Sequence, residues 1–140
     1  MIENFKETQK RWLYDIDIKS YYWPWTEQGW HNLMGYIFRV YCLKGVPRGF
    51  SCFKMGNSSL EVVKLCVHPT FRRLGFGSLL NEDLIHTAIS QKKSKLCMII
   101  HEQNEYFDWL KNRGWNARGI ERGLFPDGTD GFCFERAVVN

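Results

Sequence analysis

The sequence predicts an α/β fold: one mixed, mostly antiparallel sheet with helices packed against it. Three observations carry the prediction. Residues 35–67 hold three apolar, aromatic and β-branched runs parted by short turns. A long amphipathic stretch follows a glycine-bearing loop at residues 72–78. Beyond it the pattern continues as a short apolar run, a helical segment and a last strand.

The elements follow in chain order. Trp12, Tyr14, Ile16 and Ile18 alternate with more polar neighbours, which predicts an early strand. Residues 20–34 are less regular. Pro24 and Thr26 can open helical turns, so one or two short helices are expected there. Residues 35–43 read as a strand, 44–49 as a turn and 50–55 as a second strand. Residues 56–59 form another turn, and 60–67 a third strand that completes an antiparallel meander. Pro69 bars helix at His68, which caps the strand end. Leu80, Leu84 and Ala88 recur at helical spacing within a helix over residues 75–92. Residues 96–100 are wholly apolar, the mark of a buried strand. A helix over residues 104–113 is closed by Gly114. The turn Pro126-Asp127-Gly128 leads to a last strand over residues 132–138.

A chain of 140 residues suits one domain, residues 1–140. The net charge of +4 is too small to argue for nucleic acid, and no base-reading motif is present. No apolar stretch is long enough to span a membrane, and residues 1–11 are polar and charged, so a cytoplasmic setting away from membranes is expected. The five cysteines form no CxxC pair. Cys66, Cys97 and Cys133 sit in apolar runs and are expected as reduced core thiols, with no metal site. A monomer or a homodimer is compatible with these features.

The sharpest feature is the segment from Val67 through Arg72, Arg73, Leu74, Gly75, Phe76 and Gly77 to Ser78. It follows a strand and opens a helix. The first turn of a helix presents unpaired N–H groups and a partial positive charge. Gly75 and Gly77 let backbone approach a phosphate closely, and Arg72 and Arg73 add charge. A pyrophosphate is the natural guest. No Lys-Ser/Thr pair follows the second glycine, and the third glycine of a dinucleotide loop is missing, so those two phosphate loops are excluded.

Arg72-x-x-Gly75-x-Gly77, after Leu65-Cys66-Val67 and before a long amphipathic helix, resembles the acetyl-CoA signature of the GNAT N-acetyltransferases. Asn104, followed by Leu110 and Gly114-Trp115, is similar to that family's later segment. The resemblance implies a GNAT-like fold that binds acetyl-CoA. By that resemblance the backbone of Leu65, Cys66 and Val67 runs along the pantetheine arm. Main-chain N–H groups of Arg73, Leu74, Gly75, Phe76, Gly77 and Ser78 cradle the pyrophosphate. Asn104 bonds the arm, and the following helix packs beside the thiol.

Amine acetylation needs an amine held against a thioester, a donor for the developing oxyanion, and a base. Glu61 is the candidate base, at a distance from Gly75 that resembles the histone-acetylating branch of the family. Its alternative reading is a surface carboxylate paired with Lys64. His68 and Glu102 are further choices of base, and His101 is expected at the surface. Many family members carry a tyrosine where this chain has Leu110, so Tyr106, one helical turn earlier, is the candidate acid.

Trp23-Pro24-Trp25-Thr26 resembles the segment that walls the peptide groove in Rim-type ribosomal-protein N-terminal acetyltransferases. By that resemblance Trp25 and Trp30 line the acceptor entrance. The expected acceptor is a protein or peptide amine, either an N-terminal α-amine or lysine. A small-molecule amine, or a CoA-binding domain without activity, are the alternatives.

Overall fold

A computed structural model describes residues 1–20 and 24–138. Of the segment expected to wall a peptide groove, Trp23 lies outside the described residues.

The described residues form a seven-stranded sheet in the order β1-β2-β3-β4-β5-β7-β6. Strands β2 (Ile37–Leu43), β3 (Val46–Met55) and β4 (Ser59–Val67) are the expected meander. The turn between β2 and β3 is shorter than expected. Lys44 and Gly45 both take positive φ, the geometry of a two-residue hairpin, so β3 starts at Val46. Helix α2 (Phe76–Ser90) then crosses to β5 (Lys95–His101), which pairs parallel with β4. Helix α3 (Phe107–Lys111), β6 (Asn116–Glu121) and β7 (Gly131–Ala137) complete the order, with β7 between β5 and β6. Strand β1 (Ile2–Asn4) pairs along β2.

The structure corrects several expectations. The early strand is a helix, α1 (Lys10–Ser20). Leu13, Ile16 and Asp17 are its buried positions, with Gln9 just before it: a helical stripe. Trp12 and Ile18, half of the apparent alternation, are exposed. Within residues 24–34 the helical content is one 3-10 turn, Gly29–His31. Helix α3 is half the expected length, because Asn104 accepts a bond from the Tyr106 N–H at 2.9 Å and turns the chain before the helix begins. Strand β6 was not foreseen: all six of its residues are exposed, so no apolar period marks it. His101 is buried, not superficial.

Each face of the sheet carries a core. Helices α2 and α3 cover one face, with Leu80, Leu84 and Ala88 of α2 at or near zero exposure against Leu60, Leu96 and Phe134. Helix α1 covers the other face with Leu13 and Ile16 against Trp30, Phe38, Phe50 and Cys66. All five cysteines are free thiols; Cys66 is buried, while Cys97 and Cys133 are half-buried on the strands beyond α1.

Across the α1 face runs a buried ion pair. Lys64 Nζ lies 2.9 Å from Asp17 Oδ1, with both side chains at most 1% exposed. Asp17 Oδ2 accepts from the Trp25 N–H at 3.0 Å and the Trp30 Nε1–H at 3.1 Å. Lys64 therefore pairs with α1 and not with Glu61.

Candidate active site

The parallel strands β4 and β5 pair only from Ser59↔Lys95 to Val62↔Met98. β4 continues to Val67 and β5 to His101, so the two strands part towards their C-terminal ends. A cleft of about 560 Å³ opens there, with Leu65 and Val67 on one wall and Met98 and Ile100 on the other.

The backbone of β4 is suited to a partner in that cleft. His68 N–H bonds back to Arg48 on β3, while Val67 O points the other way and accepts from Arg72 Nε at 3.2 Å. Alternation in an antiparallel ladder then turns the N–H groups of Val67 and Leu65 towards the cleft.

Helix α2 opens at one end of the cleft. Its N-cap is Gly75, at φ +87°, a conformation that favours glycine. No side chain caps the helix, and its first turn carries no acidic residue. The first intrahelical bond is Leu79 N–H to Gly75 O, so the N–H groups of Phe76, Gly77 and Ser78 precede the helical ladder. That is the donor set an anion requires. Gly77 also lies close under α3: a Cβ there would sit 3.2 Å from Trp109 Cζ2, and the ring would have to shift by a few tenths of an ångström.

The expected site residues separate into two groups. Leu65, Val67, Arg72, Arg73, Gly75, Phe76, Gly77, Ser78, Asn104 and Tyr106 line the cleft. Cys66 and Leu74 do not: the Cys66 thiol belongs to the α1-side core, where burial pushes it up to about 12, and Leu74 is exposed. Glu61 is exposed in the first half of β4, away from the cleft. Trp30 is a core residue with its ring against Phe38 and Phe50, and Trp25 meets Trp30 edge to face and lies tilted against Tyr36. Neither lines the cleft. His68 Nδ1 accepts from Thr70 N–H and starts the 3-10 turn Pro69–Phe71. Its pKa is lowered, first by burial and then by the charge of Lys19.

Arg72 faces protein on three sides. Nε holds Val67 O, Nη2 holds Ser20 O at 3.1 Å, and Nη1 holds Glu105 Oε1 at 3.1 Å. Its guanidinium also lies 5.6 Å from the centroid of the Tyr106 ring. It is a tie between α1, β4 and the loop ahead of α3. Tyr106 is half-buried, and burial pushes its phenol up to about 12. Arg113 was missed by sequence reasoning. It stacks on Trp109 at 4.0 Å and reaches Ser78 Oγ through Nη2 at 2.9 Å. A cation thus stands at the N-terminus of α2, and its spacing of four from Trp109 on α3 is the signal that could have found it.

The geometry suits a coenzyme A thioester: a parted strand pair for an extended arm, and bare N–H groups with a cation for its diphosphate. Among the described residues no group of three His, Cys, Asp or Glu is placed to hold a metal. No helix among them is long and apolar enough to cross a membrane.

Comparison with known proteins agrees with this geometry. No curated protein matches the sequence with significance. Among solved structures, the ribosomal-protein-S18-alanine N-acetyltransferase of Escherichia coli superposes with a TM-score of 0.87 at 20% identity, covering 100% of this chain and 94% of that one. Ard1 from Thermoplasma volcanium gives 0.88 at 19% identity, covering 100% and 98%. A GNAT family acetyltransferase from Elizabethkingia anophelis with acetyl-CoA bound gives 0.85 at 16% identity, covering 99% and 97%. At such identities the superpositions speak for the fold. The sequence model of the acetyltransferase (GNAT) family itself matches residues 3–107, three quarters of the chain, and the chain therefore belongs to that family, whose co-substrate is acetyl-CoA.

Proposed function

We propose that residues 1–140 form one acetyltransferase domain that moves the acetyl group of acetyl-CoA to a primary amine by direct attack. The acceptor is a protein or peptide amine, an N-terminal α-amine or a lysine. One observation carries the reading: the open edge of β4 and the uncapped first turn of α2 border the same cleft.

The chain's own groups take the following roles. Main-chain N–H groups of Leu65 and Val67 hold the pantetheine arm and steady the carbonyl oxygen as it gains charge. Those of Phe76, Gly77 and Ser78 hold the diphosphate, with Arg113 beside them. Asn104, whose Oδ1 is engaged by Tyr106 N–H, has its amide nitrogen to offer the arm. Tyr106 is protonated at neutral pH, as a phenol ordinarily is, and from the wall of the cleft it can protonate a departing thiolate.

The peptide acceptor draws support from the resemblance of residues 23–26 and from the overall likeness to a ribosomal-protein alanine acetyltransferase. The test is turnover of acetyl-CoA against pooled peptides with free N-termini, peptides with internal lysines, and small amines, read by mass spectrometry. Acetylated peptides with release of free thiol are expected. Products confined to small amines would replace the acceptor class. Tight acetyl-CoA binding with no product on any amine would sink the activity.

A further inference from the structure

Among the described residues, one carboxylate lines the cleft, and it is Glu105. The same residue lines a second cavity of about 390 Å³ that adjoins the first. Arg72, Asn104, Glu105 and Tyr106 border both, so they form the shared wall, while Lys19, Ser20 and Gln103 border the second alone. Glu61 and Glu102 border neither.

We propose that the second cavity receives the acceptor amine, and that Glu105 is the carboxylate that binds it as an ammonium ion and removes its proton. The proposal rests on the acetyl-transfer reading given above. Three features argue for it. The position is right, because a group on the shared wall can touch an amine in one cavity while the thioester lies in the other, as direct attack requires. The carboxylate is held: Arg72 Nη1 bonds Glu105 Oε1 at 3.1 Å, and Arg72 is anchored on Val67 O and Ser20 O. That leaves Oε2 for a ligand. The proton also has an exit, because the Glu105 side chain is 77% exposed and can pass it to bulk water.

The surroundings give the carboxylate its purpose. Lys19, paired with Asp15, and Arg72 bring positive charge to the cavity. His68 feels Lys19, Arg48 and Arg72 as cations and Asp15 as an anion. Without Glu105 an ammonium ion would meet Arg72 with no anion on the cavity wall to face it, Lys19 being paired with Asp15. With it, the cation is bound, and nearby positive charge favours loss of its proton. Glu105 and Tyr106 then divide the chemistry, one accepting a proton and its neighbour in sequence donating one.

The step balances. Glu105 takes one proton from the ammonium ion, directly or through one water. The nitrogen lone pair forms the C–N bond to the acetyl carbon as the C–S bond breaks. The departing thiolate takes the Tyr106 phenolic proton. The new amide nitrogen sheds its surplus proton through water to the phenolate, and Glu105 releases its own to solvent.

The experiment compares the parent with Glu105→Gln, using the best acceptor from the pooled amines. The expected loss in kcat/KM for the acceptor at neutral pH is roughly 10²–10³-fold, while KM for acetyl-CoA moves less than about twofold. The residual rate of the variant should climb with pH towards the pKa of the amine itself. Glu105→Asp should recover about a tenth or more of the parental rate. Parental turnover in Glu105→Gln overturns the assignment alone, and so does a matching loss in Glu61→Gln with Glu105→Gln unaffected. Equal losses of acetyl-CoA affinity, turnover and thermal stability in Glu105→Gln would make the carboxylate a structural partner of Arg72 and also overturn it. A parent that binds acetyl-CoA and acetylates no amine brings down this proposal together with the activity.

Discussion

Tyr106 stands where the two cavities meet, and burial raises its phenol above the ordinary value. Burial is the larger cause of the raised pKa, opposed by the charge of Arg72. The native state thus binds the phenolic proton more tightly than the unfolded chain does. The stability this contributes is complete below about pH 10 and is lost as pH rises through about 12. Ultraviolet titration of the parent minus Tyr106→Phe should isolate one phenol with a midpoint near 12; a midpoint at 10 would place the ring in open solvent. The sequence singled out Tyr106 and Arg72, and both line the cleft. It did not disclose that the Arg72 guanidinium is engaged by Ser20 O and Glu105, because those partners lie 52 and 33 residues away. Glu105 stayed hidden for the same reason. A carboxylate beside an asparagine has no local mark of function, and only closure of the loop onto Arg72 gives it one.

At the scale of elements, the proposed diphosphate site rests on the first turn of α2. Gly75 supplies the positive φ and Gly77 the space below Trp109. Gly77→Glu sets a carboxylate among helix N-terminal donors and displaces the Trp109 ring. Acetyl-CoA affinity by calorimetry is expected to fall at least about 100-fold, a cost of roughly 3 kcal/mol; an unchanged affinity would remove the diphosphate from this turn. The strand–loop–helix order here was legible, because proline, glycine and apolar period all act within a few residues. The element misread was α1. Trp12, Tyr14, Ile16 and Ile18 have the period of a strand, yet the positions that meet the sheet are Leu13, Ile16 and Asp17. A buried aspartate breaks the apolar stripe by which such a helix is recognised.

At the scale of the whole molecule, that aspartate joins α1 to the central strand of the sheet. Asp17 on α1 and Lys64 on β4 are 47 residues apart, and through Asp17 Trp25 and Trp30 are fastened to the same pair. Asp17→Ala removes the carboxylate and leaves the ammonium group of Lys64 inside the core. The expected cost is about 3–5 kcal/mol, seen as a melting temperature lower by roughly 10 °C or more. Pairing Asp17→Leu with Lys64→Met should recover part of that loss, since buried charge is replaced by apolar volume while the Trp25 and Trp30 N–H groups lose their acceptor. Trp30, expected at an acceptor entrance, serves this interior network. The sequence alone determined the mixed sheet, the meander, the loop that opens α2 and the family those features mark, because each rests on period and turn chemistry over a few neighbouring residues. Tertiary structure alone decided where β4 and β5 part, that Arg72 ties while Arg113 offers charge, and which carboxylate reaches the cleft. Those outcomes depend on side chains tens of residues apart meeting across a packed sheet, and no local spacing encodes that distance.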